Sequence, residues 1–158
     1  MAQSKTNAMR ILERAGVPYK MYSYESSGQV LDGVCVAQKL GLPAGQIFKT
    51  LVTQGASREY FVFVLPANRE LELKKAARAV GEKNVEMIHV KDLNRVTGYI
   101  RGGCSPIGMK KQFTTVVDSA CEPLAAILVS AGKIGQQVEL APQALISLIG
   151  AQVTSIAK

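Results

Sequence analysis

Residues 97–111 read Thr97-Gly98-Tyr99-Ile100-Arg101-Gly102-Gly103-Cys104-Ser105-Pro106-Ile107-Gly108-Met109-Lys110-Lys111. Four glycines and a proline fall within eleven residues, directly ahead of two lysines. Glycine admits positive φ and lets another molecule approach the main chain closely. Proline fixes a turn and removes a donor. Such a loop can present amides to an oxygen-rich ligand; the ordinary alternative is a connection between strands. The glycine spacing does not give a dinucleotide fingerprint, and the lysines follow too late for a phosphate-binding P-loop.

A second candidate is Lys49, set in the apolar run Ile47-Phe48-Lys49-Thr50-Leu51-Val52. A strand lysine either points to solvent or, in a cleft, holds a carbonyl or phosphate oxygen with its three donors. Lys110 and Lys111 read either as phosphate contacts beside the loop or as a solvated pair. Cys104 could pair with His89, the single histidine, but a nucleophile and base need a third, orienting group, and none is legible. Asp118 and Glu139 have no readable partner. Cys35, Cys104 and Cys121 are odd in number and widely spaced. They suit neither a disulfide framework nor a zinc site, so a reducing cytoplasm is expected, with no metal or cofactor.

The elements that must position these groups follow from periodicity and punctuation. Helical spacing covers residues 5–15, 33–40, 71–80 and 91–96, with glycines at 16, 41 and 81 as stops. Pro142 starts a further helix reaching residue 149. Strands are expected at 19–24, 47–53, 60–65, 85–88, 114–118, 125–130, 137–140 and 152–156, with a loop at 25–31. A hairpin turn is expected at Gln54-Gly55-Ala56-Ser57. Helices do not alternate regularly with strands. The expected fold is therefore α+β, with a mixed, largely antiparallel sheet or barrel flanked by helices.

At 158 residues the simplest organisation is one domain spanning 1–158. Nineteen Lys and Arg against twelve Asp and Glu give a net charge of +7. That excess fits an anionic partner, nucleic acid first, or else a solvated basic surface. No apolar run reaches the roughly 18 residues needed to span a bilayer, so no membrane partner is expected. Charges interrupt the apolar positions of residues 1–16, which does not read as a signal peptide.

Four segments in order carry a resemblance: Phe48-Lys49-Thr50-Leu51, then Leu71-Glu72-Leu73-Lys74-Lys75-Ala76, then the loop from Thr97 to Gly108. The last is Val129-Ser130-Ala131-Gly132-Lys133-Ile134-Gly135 with Val138-Glu139-Leu140. Together they resemble the YbaK/EbsC family of aminoacyl-tRNA deacylases, from about residue 5 to residue 157. The resemblance implies a fold shared with the editing insertion of bacterial prolyl-tRNA synthetases, and hydrolytic clearance of mischarged tRNA. The Gly-Gly-x-Ser-Pro loop is most similar to the Cys-tRNA(Pro) deacylase branch. An alanine-specific deacylase and a non-catalytic binding module on the same fold are the alternatives.

Carried over by position, the resemblance marks Lys49, Gly102 and Gly103 for the chemistry, and Tyr24 and Ser130 for the substrate. Lys110 and Lys111 join them as phosphate contacts. At Gln137 the chain departs from a family aspartate, so an amide stands where a carboxylate would orient the substrate amine. The implied reaction is attack by the substrate's own cysteine thiol on its ester. The implied partners are the aminoacylated 3′ end of tRNA and prolyl-tRNA synthetase.

Overall fold

The computed structural model describes residues 5–26 and 31–158. In chain order its elements are α1 (Asn7–Arg14), β1 (Lys20–Ser23), α2 (Gly33–Leu40), β2 (Phe48–Gly55), β3 (Tyr60–Pro66), α3 (Leu73–Ala79) and β4 (Val85–Met87). There follow α4 (Val90–Thr97), β5 (Thr114–Asp118), β6 (Ile127–Ser130), β7 (Gln136–Leu140), α5 (Pro142–Ile149) and β8 (Gln152–Thr154). Side-chain caps set several helix starts. Thr6 Oγ1 accepts from the Met9 amide at 3.2 Å, Asp32 from Cys35 at 2.9 Å, and Glu72 from Lys75 at 3.1 Å. Each satisfies one of the amides that a helix start leaves unpaired.

The run Tyr-Phe-Val-Phe-Val-Leu-Pro of β3 is apolar at every position, the signature of a strand covered on both faces. β3 sits at the centre of a five-stranded sheet ordered β4-β2-β3-β5-β8. Phe61, Phe63 and Leu65 pack toward α3 through Ala76 and Ala77, with Ile156 and Ala157. Val62 and Val64 pack into the larger core with α1, α5 and the second sheet. That sheet has the order β1-β7-β6.

Among the described residues, β2–β3, β2–β4, β1–β7 and β6–β7 run antiparallel, and β3–β5 and β5–β8 run parallel. The expected mixed, largely antiparallel α+β architecture is present. The strands form two sheets and no closed barrel. One parallel bridge, Ile47 to Leu128, ties the sheets together.

The β2–β3 turn differs from expectation. Gln54 is still paired with Tyr60, so the chain reverses over residues 56–59, and Arg58 takes φ 74°. The loop expected at 25–31 lies partly outside the described residues.

Two local features place the site. β4 pairs with β2 only from Thr53 to Gly55, and the Ile88 amide donates to the Val52 carbonyl at 3.2 Å. Between Ile47 and Val52 the outer edge of β2 has no strand partner among the described residues, which leaves backbone polar groups open. Lys49 and Ser130 both line the cavity that opens beyond the Ile47–Leu128 bridge.

Candidate active site

A cavity of about 500 Å³ opens along that free edge. Its floor is β2 from Phe48 to Val52, and one side is formed by Ser130 and Gln137 of the smaller sheet. Gln137 lies on the central strand β7, opposite Ser130 on β6 and Tyr22 on β1. Tyr24 reaches the cavity just beyond β1, held by its amide donating to the Gly135 carbonyl at 2.9 Å. Gly102, Arg101 and Cys104 close the side made by the glycine loop, and His89 with Leu93 closes the α4 side.

The start of α2 forms the rim. A Cβ on Gly33 would stand 2.2 Å from the Ala67 Cβ, so only glycine lets this turn settle on the chain after β3. Asp32 is thereby brought to the cavity, where its charge acts on Lys49. Hydrogen bonds from the Cys35 amide and thiol hold the Asp32 carboxyl below its ordinary range.

Lys49 is half-buried. Burial pulls its ammonium below the ordinary lysine value, and the charges of Glu70 and Asp32 partly restore it. Two oxygens of cavity-lining residues have no partner. Thr50 Oγ1 and Gln137 Oε1 are buried without a hydrogen bond, and Gln137 is only 6% exposed. Buried polar atoms are nearly always paired, so an orphan on the cavity floor and another on its side mark places where a ligand can supply donors.

The glycine loop is built differently. The Gly103 amide donates to the Ile100 carbonyl at 3.0 Å and closes a turn, so it is not free to meet a ligand. A Cβ at Gly103 would press on the backbone of Lys133 and Ile134 at 3.1–3.3 Å. Glycine is needed there to seat the loop on the β6–β7 turn. Tyr99 clamps the same junction, with its hydroxyl donating to the Ile107 carbonyl and its ring against Gly132. Gly102, at φ 86°, lines the cavity, and its amide makes no hydrogen bond among the described residues.

Cys104 faces the cavity, but burial pushes its thiol up to about 12. A thiol that stays protonated at neutral pH is a poor nucleophile, and no hydrogen bond joins it to His89 among the described residues. Lys110 and Lys111 are exposed and lie outside the cavity; the Lys110 ammonium donates to the Arg95 carbonyl at 3.4 Å. Asp118 is structural, its Oδ1 accepting from the Ile156 and Ala157 amides. Glu139 accepts from the Tyr22 hydroxyl at 2.9 Å.

The cavity thus unites Lys49, Tyr24, Ser130, Gln137 and Gly102, and leaves Lys110 and Lys111 aside. Asp32, Thr50 and Arg101 were not legible as site residues. The cap pattern of Asp32 before α2 was a signal for helix initiation only. No group of three or more metal-ligating side chains occurs among the described residues.

A model of the aminoacyl-tRNA editing domain matches residues 30–148. The chain belongs to the aminoacyl-tRNA editing domain family. It is 54% identical to EbsC of Enterococcus faecalis, provisionally named a Cys-tRNA(Pro)/Cys-tRNA(Cys) deacylase, over 98% of this chain and 94% of that one. Over 101 residues it is 28% identical to a proline–tRNA ligase of Trichlorobacter lovleyi, which covers 64% of this chain and 18% of the ligase. A crystal structure provisionally described as a trans-editing enzyme for prolyl tRNA synthetase superposes with a TM-score of 0.84 at 25% identity. The superposition covers 98% of this chain and 99% of that one.

Proposed function

We propose that the whole chain acts as one trans-acting deacylase that removes cysteine from mischarged tRNA(Pro). The carrying observation is a cavity that holds an ammonium and unpaired acceptors but no activated protein nucleophile. With Cys104 kept as a thiol, the attacking sulfur comes from the substrate. The cysteinyl sulfur forms a bond to its own ester carbonyl carbon, and the bond from that carbon to the ribose oxygen breaks. The thiol proton ends on the ribose oxygen, leaving free tRNA and a cyclic thiolactone.

Each residue then has a holding role. Lys49 binds an oxygen of the terminal adenosine or of the ester carbonyl. The Gly102 amide meets the oxygen that gains charge in the transition state; one such donor is worth about 3–4 kcal/mol. Gly103 shapes the loop that presents it. Gln137 Oε1 accepts from the substrate ammonium, and Tyr24 and Ser130 bound the side-chain pocket. Lys110 and Lys111 lie where tRNA phosphates pass, not where the ester sits.

Thiol attack also separates cysteine from serine, which a pocket of one size does poorly. A hydroxyl is a far weaker nucleophile at neutral pH than a thiol with a few per cent thiolate. Basic surface gives affinity without sequence information, so tRNA choice is sharpened by a complex with prolyl-tRNA synthetase. The test is deacylation of Cys-, Ser-, Ala- and Pro-tRNA(Pro) by the purified protein. Loss of the cysteinyl ester alone supports the proposal; equal loss of the seryl ester refutes substrate-thiol attack, and loss of the alanyl ester moves the specificity to alanine.

A further inference from the structure

A polar groove of about 330 Å³ lies next to the cavity and shares Met87, Ile88 and His89 with it. We propose that this groove takes the base preceding the terminal adenosine of the tRNA, and that its lining suits a cytosine edge. The proposal rests on the deacylase reading, because the cavity must hold the terminal adenosine for a neighbouring base to reach the groove.

The lining is a mixture of donors and acceptors. Arg58, Arg95 and Asn84 bring donors, and Glu86 and Asp92 bring carboxylates. Asp92 sits 3.4 Å from Arg95, and Tyr60 also meets the Arg95 guanidinium. Two arginines against two acids cancel in charge. A phosphate track is lined by cations in excess, so this groove is poorly made for phosphate. A base edge is neutral and carries both kinds of group. Carboxylates accept from the cytosine exocyclic amine, and arginine supplies donors for its ring nitrogen and carbonyl. Met87, 47% exposed on the shared ridge, offers a polarizable face for the ring.

Arg58 gives a second, independent indication. It holds φ 74° at the hairpin tip, a conformation that favours glycine. Its amide donates to the Gly55 carbonyl at 2.9 Å, and Gln54 Nε2 donates to the Arg58 carbonyl at 3.0 Å. Strained residues kept in place by their surroundings gather at ligand clamps. Here the strain is tolerated where an arginine side chain borders the groove.

The test uses cysteinyl esters of the dinucleotides CpA and UpA, with wild type, Arg58→Gly and Glu86→Gln. Arg58→Gly removes the guanidinium and suits the backbone, so it folds at least as well in urea. Wild type is expected to show a KM at least about fivefold lower for the CpA ester, with similar kcat. Both variants should bring the two KM values together. Equal KM values in wild type overturn the proposal, as does an advantage that survives both variants. If no ester is cleaved, the deacylase reading fails, and NMR titration with unesterified CpA and UpA decides the groove. Shifts at the Arg58, Asn84 and Glu86 amides that favour CpA uphold it, and their absence refutes it.

Discussion

The two walls of the cavity treat their polar groups in opposite ways. On the glycine-loop side nearly everything is engaged internally. Thr97 Oγ1 donates to the Leu93 carbonyl and accepts from the Tyr99 amide. Ser105 Oγ accepts from the Ile107 amide, and the Gly103 amide is taken by Ile100. On the sheet side, Thr50 and Gln137 keep buried oxygens without partners, and Lys49 keeps a charge that burial opposes. Apart from the Gly102 amide, the loop wall commits its hydrogen bonds to its own shape; the sheet side keeps acceptors unpaired. Unpaired buried groups cost stability, so the sheet wall is where fold and function compete.

Lys49 tests that contrast most severely. Lys49→Ala should lower kcat/KM for Cys-tRNA(Pro) by about 100-fold or more, the scale of losing one electrostatic contact to the transition state. Lys49→Met should be as inactive yet unfold at higher urea concentration near neutral pH, because it removes a charge that burial disfavours. An inactive variant with no gain in stability would show that the lysine is not under strain in the resting protein.

The loop wall should respond in the other sense. Gly132 sits at φ 97°, and a Cβ there would stand 2.9 Å from Tyr99 Cε1. Gly132→Ala should therefore destabilise by about 1–3 kcal/mol, measured by urea unfolding, and slow deacylation as the loop shifts off the β6–β7 turn. An unchanged unfolding midpoint would mean that loop and turn are not clamped through Tyr99.

A pH series sharpens the same contrast. Because burial lowers the folded pKa of Lys49 below its ordinary 10.5, the folded chain loses this proton before the unfolded chain does. Between the lowered value and 10.5 the unfolded state binds more protons, so this residue's contribution to stability rises with pH. Below that window both states are charged and the full penalty stands. The stability advantage of Lys49→Met should then shrink as pH rises through the window. Wild-type activity should fall over the same range as the ammonium is lost. A constant difference across that range would place Lys49 in an environment like water.

Much of this was legible in the sequence, for reasons that differ by element. The bounds of α2, β5 and α5 agree with expectation because each is fixed by local chemistry: Asp32 and Gly41 around α2, Pro142 and Gly150 around α5, and in β5 a short β-branched run buried from Thr115 to Asp118. The β2–β3 turn was misplaced because its left-handed residue is Arg58, and nothing in an arginine announces positive φ. The cavity lining was legible where motif and position coincide, at Lys49, Ser130 and Gly102. Asp32, Thr50 and Arg101 were missed because their role depends on which chain segments meet across the fold. The state of the Gly103 amide was also hidden, since a glycine-rich string does not reveal whether its N–H groups turn inward or outward.

The smallest expected effect bears on where the nucleophile resides. Cys104 lies on the loop wall, facing the cavity, and is the one protein thiol that could contest the role given to the substrate. Its thiol, pushed up to about 12 by burial, carries almost no thiolate at neutral pH, and His89 is not bonded to it. Cys104→Ser should therefore change kcat by no more than about threefold, less than 1 kcal/mol in the barrier. Alkylation mapped by peptide mass should label the exposed Cys35 well before Cys104 in wild type. A folded Cys104→Ser protein that is inactive on Cys-tRNA(Pro), or early labelling of Cys104, would move the nucleophile from the substrate to the protein. It would also give the loop wall the attacking group, where the proposal gives it only shape and the Gly102 amide.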